Sequence, residues 1–336
     1  MSTAAGQGAL PAAEAWFMRH GLPWFVSSRR QHARDALARR RVVPLVLVLA
    51  LVAVGVGVVV GLVSEPSLGV TAATWIFGLG ALGYALAFLA LGTMSMWAVK
   101  RTFRSLSLLF PLATRALPLL LLFITFLFIN TEVWQVASYL DDGALWLVAL
   151  LFGAMAVGFL LVRLPEEMDQ VDDVVSTQEM TKTLEGTPFE TVAHELVAQE
   201  EFGADLTAAA QVAGFEKANL VLVLLVAQMV QVLLLALSVF AFFMLFGALA
   251  MDREVLEIWL TKEELHPLGV GFLSAELIQV SVFLASFSGL YFTVYAVTDE
   301  TYREQFFTSV HRELVRSVYA RVVYRALLQR ETARPQ

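Results

Sequence analysis

Four polar side chains set inside apolar runs are the residues best placed for chemistry in this chain: Gln228, Gln231, Glu276 and Gln279. Gln228 and Gln231 are three positions apart, as are Glu276 and Gln279, so each pair shares one face of a helix. Such groups in hydrocarbon mark either a path for ions or protons or a hydrogen bond between helices. In the first case Glu276 is the titrating group. In the second the four are structural glue, worth about 0.5–2 kcal/mol per contact, and this is the reading favoured here. A rise of about 1.5 Å per residue puts Gln231 about 18 Å from one face of a roughly 30 Å core. The same count puts Gln279 about 12 Å from the other face. A Gln231–Gln279 hydrogen bond, with Glu276 above it, is therefore expected.

Other chemistry is absent by pattern. The five histidines (His20, His32, His194, His266 and His311) lie outside the apolar runs, and no two have metal-ligand spacing. His194-Glu195 lacks the second histidine of a metalloprotease helix. No phosphate-binding loop or serine elbow is present. Gly78-Leu79-Gly80-Ala81-Leu82-Gly83 matches a dinucleotide fingerprint in letters, but it sits within an apolar span with no strand before it. Close helix packing explains it better, as it does Gly57 with Gly61 and Ala154 with Gly158. With no cysteine, thiol chemistry and disulfides are excluded. The expectation is a non-enzyme without a cofactor.

The elements that hold these residues follow from composition. The chain has 336 residues, 58% hydrophobic and 16% charged, with mean hydropathy +0.70. Soluble domains carry about 25% charged residues, and a water-soluble core could not hide this apolar surplus. The fold class is an all-α polytopic membrane bundle. Six runs, at 42–63, 74–98, 116–132, 144–161, 219–248 and 271–297, are long enough to span, arranged as three hairpins. The third is short, bracketed by Arg115 and Glu132, and the fifth is too long to fit without tilt or projection. Six spans put 21 of the 23 Lys and Arg residues on the side of both termini, leaving Arg253 and Lys262 opposite. By the positive-inside rule both termini are cytoplasmic. Trp75, Trp97, Trp134 and Trp259 near span ends read as an aromatic belt. The first span reads as a retained anchor. Arginine far in excess of lysine, amid Ala, Val, Leu and Gly, suggests a GC-rich bacterial genome and the plasma membrane.

The chain thus divides into a basic, aromatic arm (1–41), four spans (42–163), an acidic loop (164–218), a hairpin (219–298) and a basic amphipathic tail (299–336). The loop carries 13 acids against Lys182 and Lys217 between 166 and 217. Thr187-Pro188-Phe189-Glu190 reads as a helix start with a capping box, and Thr301 with Glu304 as another. Glu166, Glu167, Asp169, Asp172 and Asp173 form either a solvated face or a surface for a divalent cation or basic partner; metal binding is left open. In the arm, Trp16, Phe17, Trp24 and Phe25 beside Arg29, Arg30, Arg34, Arg39, Arg40 and Arg41 suit an interface helix on anionic lipid. Arg312 and Arg316 lie opposite the tail's apolar stripe, while Arg321 and Arg325 drift into it. No nucleic-acid module accompanies these arginines. The first functional class is a non-enzymatic membrane scaffold that holds a cytoplasmic protein or a second copy. The alternative is a channel or proton-coupled transporter using Glu276, Gln231 and Gln279.

Overall fold

A computed structural model describes residues 3–140, 142–169, 176–199, 206, 209–260, 274–298 and 300–332. Within its helices, the side chains at 3–8, 104–120, 142, 165–169, 253, 297 and 300–312 lie outside the description. The described elements are helices. Helices α1 (Thr3–Arg19) and α2 (Ser27–Ala36) flank a 3-10 turn at Pro23–Phe25. They precede α3 (Arg39–Val63), α4 (Pro66–Phe88), α5 (Leu91–Phe128), α6 (Thr131–Tyr139) and α7 (Asp142–Asp169). Two short helices follow, α8 (Thr177–Leu184) and α9 (Glu190–Val197). The remainder are α10 (Phe215–Ala250), α11 (Arg253–Leu260), α12 (Ala275–Thr298) and α13 (Glu300–Thr332).

Five helices are long and apolar enough to cross a membrane, at Arg39–Val63, Pro66–Phe88, Gly143–Leu164, Phe215–Ala250 and Ala275–Ala296. Leu121–Phe128 and Thr131–Tyr139, bent by 73°, bring the number to six if taken as one span. Helix α5 runs beside α10 in the same direction. Thr102 Oγ1 donates to the Ala227 carbonyl at 3.5 Å near one end, and Phe128 stacks on Phe243 at 4.6 Å near the other. The helices α1, α2, α8, α9 and α13 gather at one end, called basal below, whereas α6 and α11 lie at the far end.

Two expected spans are redrawn. The second runs Pro66–Phe88 rather than 74–98, because proline opens the helix and Ala90, in the left-handed region at φ 56, ends it. The third is not a separate 116–132 helix but the end of α5, which stops at Phe128. Asn130 then caps α6, its side chain accepting from the Glu132 and Val133 amides. In consequence the middle hairpin does not pack as one: α5 packs mainly on α10, and α7 on α12 and α4.

The α3–α4 pair is held by close backbone approach. A Cβ on Gly69 would stand 2.5 Å from the Gly57 carbonyl oxygen and 2.8 Å from the Gly61 Cα. Gly80 similarly abuts Leu49, but Gly78, Gly83 and Gly158 meet nothing within 4 Å, so the packing expected of them is not made among the described residues. Trp75 is exposed, consistent with a belt. Trp134 instead is fully buried, its indole N–H donating to the Phe128 carbonyl at 2.6 Å.

Candidate functional site

At the basal end, the arm, the loop and the tail share one hydrophobic core with the end of α7 and the start of α10. Trp16, Phe17 and Phe25 of the arm, Met180, Leu184 and Phe189 of the loop, and Val318 to Tyr324 of the tail belong to it. The arm's aromatics are therefore inside protein, with Trp24 3% and Phe17 0% exposed, and are not lipid-interface anchors as their sequence setting suggests. Aromatic burial against protein satisfies the same apolar surface without lipid.

Polar keys fix this core. Glu216, in the first turn of α10, accepts from Arg321 Nε at 2.6 Å and from Arg325 Nη2 at 3.1 Å, and also pairs with Arg30. The Glu216 and Arg321 side chains are 5% and 3% exposed. Burial holds the Arg321 guanidinium below its ordinary pKa, and Glu216 partly offsets this. One turn on, Asn219 accepts from the Trp24 amide at 2.8 Å and donates to the Gly21 carbonyl at 3.0 Å. The Tyr324 hydroxyl donates to Glu14 at 3.0 Å, and burial first, then Glu14, pushes its pKa up to about 12. Arg330 pairs with Glu195 at 2.7 Å in the open.

The drift of Arg321 and Arg325 into the tail's apolar stripe is thus the mark of a buried ion pair. The missing signal was the partner, Glu216, which sequence alone groups with the loop's solvated acids. The helix start at Thr187 also shifts. Helix α9 begins at Glu190, whose carboxylate accepts from the Gly186 amide at 2.8 Å, while Thr187 Oγ1 accepts from the Phe189 amide at 3.3 Å. The Thr301–Glu304 box, the acids at 166–173 and Arg312 lie outside the described side chains.

Of the remaining arginines proposed to meet lipid or a partner, Arg29, Arg34, Arg39, Arg40 and Arg41 are exposed. Arg34 stands 5.4 Å over the Phe215 ring. Arg30 is spent on Glu216, and Arg316 lies 5.8 Å over the Trp16 ring in the core.

The four intramembrane polar residues do not converge. Gly247 meets Leu277, and Gly289 meets Val232 and Ala236, which sets the antiparallel register of α10 and α12. In that register Gln279 stands about 20 Å from Gln231 along the bundle axis, so the expected hydrogen bond does not form. The reason is length: α10 extends from Phe215 to Ala250, and α12 starts only at Ala275. Gln228 is 1% exposed, and neither of its amide atoms hydrogen-bonds among the described residues. Glu276 is equally buried, near the far end.

A small cleft of about 40 Å³ opens between α1, α5, α10 and α13. His20, Arg101, Glu313 and Gln231 supply polar groups to a wall of Leu220, Val223, Leu224 and Ala227. Arg101 pairs with Glu313 at 2.9 Å and lies 5.9 Å over the Trp97 ring. His20 stacks on Trp16 at 3.9 Å, and burial pulls its pKa below 6.5. No cluster of three or more His, Asp or Glu side chains able to hold a metal occurs among the described residues.

Fold and site together define a class: an all-helical protein with helices apt to cross a membrane and a keyed helical unit at one end. Comparison with protein-family models, with curated proteins and with solved structures finds no match for the chain.

Proposed function

We propose that the protein is a non-enzymatic scaffold of the bacterial plasma membrane, with both termini cytoplasmic, whose basal unit presents a docking surface for a cytoplasmic partner. The observation that carries this reading is the common core of arm, loop and tail, which makes three otherwise separate segments one rigid surface. Charge is segregated on that surface. Glu179, Glu185 and Glu195 are exposed on and beside α8 and α9, whereas Arg29, Arg34, Arg39, Arg40 and Arg41 are exposed where the chain enters α3. The basic face suits anionic lipid, at about 1 kcal/mol per residue near the surface. The acidic face suits a basic protein surface. The count of 21 of the 23 Lys and Arg residues on the side of both termini, if the chain has six spans, supports the orientation through the positive-inside rule.

The test uses the full chain in its membrane, because the loop is folded against the arm and tail and has no independent core. A photo-crosslinker at Glu185 should give one discrete adduct, lost when Glu179 and Glu195 are reversed to lysine. The same crosslinker at Glu254, on the far end, should give none. Absence of a discrete adduct from Glu185, or equal adducts from both ends, contradicts the scaffold.

A second reading, a channel or proton-coupled transporter, is favoured by one observation: the buried Gln228 amide, which has no hydrogen bond among the described residues. Proteoliposomes carrying wild type, Gln228→Leu and Glu276→Gln decide it. Proton or ion flux that exceeds protein-free vesicles and falls in either variant establishes transport, and flux at the protein-free level removes it.

A further inference from the structure

We propose that the start of α10, where Arg30, Arg321 and Arg325 surround Glu216, binds the dianionic phosphate of a phosphomonoester, free in solution or carried on a lipid. The site does not depend on the docking surface proposed above. Charge is the first argument. Three guanidiniums meet one carboxylate, Arg30 on Oε1 and Arg321 with Arg325 on Oε2. Two positive charges are left over among these groups. Water disperses them poorly, because Arg321 is buried and Arg30 only partly exposed. Burial lowers the Arg321 pKa, Glu216 raises it in part, and Arg325 and Arg30 lower it again, which is repulsion within the cluster. Arg321 and Arg325 are also four apart on α13, a spacing at which like charges cost stability. A phosphomonoester, with a charge of about −1.5 to −2 at pH 7, matches the surplus. A phosphodiester or a carboxylate, singly charged, covers half of it.

Unused donors are the second argument. Arg30 gives Glu216 only Nη1, and the half-exposed Arg325 gives it only Nη2. Their other guanidinium nitrogens have no acceptor among the described residues, and such edges take two phosphate oxygens at once. Arg321 Nη1 is anchored on the Ala209 carbonyl at 2.8 Å, which fixes the floor of the site. Arg34 shares the face of α2 that carries Arg30 and stands 5.4 Å over the ring of Phe215, the first residue of α10. The third argument is the helix end. Helix α10 is 36 residues long and opens after Gly214, and no side chain caps its first amides. Those amides carry the positive end of the helix dipole and suit an anion. Gly214 is exposed and a Cβ there would meet nothing within 4 Å, so the approach is open.

The experiment titrates the full-length chain, purified in mild detergent and delipidated, and reads binding by calorimetry. Chloride at about 0.15 M screens unspecific attraction. The probes are glycerol 3-phosphate, short-chain phosphatidic acid and, as the diester, short-chain phosphatidylglycerol. One phosphomonoester per chain is expected, with phosphatidylglycerol at least about tenfold weaker. Equal affinity for glycerol 3-phosphate and phosphatidic acid assigns the site to a soluble phosphate, and binding of phosphatidic acid alone assigns it to a lipid. Arg325→Gln should weaken the monoester about tenfold or more. Arg34→Gln, at an exposed side chain, should weaken it as well and carries the test if Arg325→Gln fails to fold. Arg330→Gln should leave binding unchanged, as should glutamine at Arg39, Arg40 and Arg41 together. Absence of binding, equal binding of the diester, unchanged affinity in Arg325→Gln and Arg34→Gln, or binding lost with Arg39, Arg40 and Arg41 overturns the proposal.

Discussion

The α3–α4 hairpin and the basal unit are built from the same apolar residue types and cohere by different physics. In the hairpin, windows of 11% and 6% burial leave nearly every Val and Leu facing outward, and contact is made by Gly57, Gly61, Gly69 and Gly80. Where lipid is the solvent, burying a leucine gains little, so association rests on close backbone approach. At the basal end the large aromatics are buried instead, and polar groups that cannot be left unpaired fix how the segments meet. Apolar surface supplies cohesion there, and Glu216 and Asn219 supply register.

Substitutions should separate the two regions. Glu216→Ala leaves the buried Arg321 without its carboxylate and should cost about 3–5 kcal/mol of basal stability, less whatever the half-exposed Arg325 regains from water. Thermal melting read by arm–tail protease protection would show it, with the α3–α4 contact intact. Gly69→Val does the converse. Its side chain meets the Gly57 and Gly61 backbones and should cost about 1–3 kcal/mol, opening the hairpin while the basal melt stays unchanged. Asn219→Ala strands the Trp24 amide and the Gly21 carbonyl and should lower basal stability by about 1–3 kcal/mol.

Acid should act on the basal unit alone. Burial lowers the folded-state pKa of His20 below 6.5, so the unfolded chain binds the proton more readily. The stability this contributes is present above pH 6.5 and is lost as the pH falls through the lowered value. His20→Gln should flatten that part of the basal melt profile, whereas the hairpin has no such dependence. The smallest effect belongs to Arg330→Gln, whose exposed pair with Glu195 is worth no more than about 0.5–1 kcal/mol.

Composition and periodicity carried the helical class and the apolar helices. They failed where the deciding contact lies far away in sequence. Lys100 and Arg101 read as the end of a span, yet α5 continues through them because Arg101 finds Glu313. The arm's aromatics beside arginines read as a lipid-facing helix, and only the loop and tail packed over them show otherwise. Glu216 looks like one more acid in an acidic loop until three arginines from two distant segments meet it. The Gln231–Gln279 pairing failed for a local reason: depth was counted from helix ends that the chain places elsewhere.

The central claim is that loop and tail dock as one unit held mainly by apolar burial. The chain has no native cysteine, so Glu195→Cys with Arg330→Cys can be joined by a short bismaleimide in native membranes. The account predicts an intramolecular crosslink in most chains, retained in high salt because the substitutions have already removed the exposed pair and screening does not weaken the apolar core. No crosslink would contradict it, as would a crosslink lost when salt is raised or one formed equally by Glu195→Cys with Glu254→Cys.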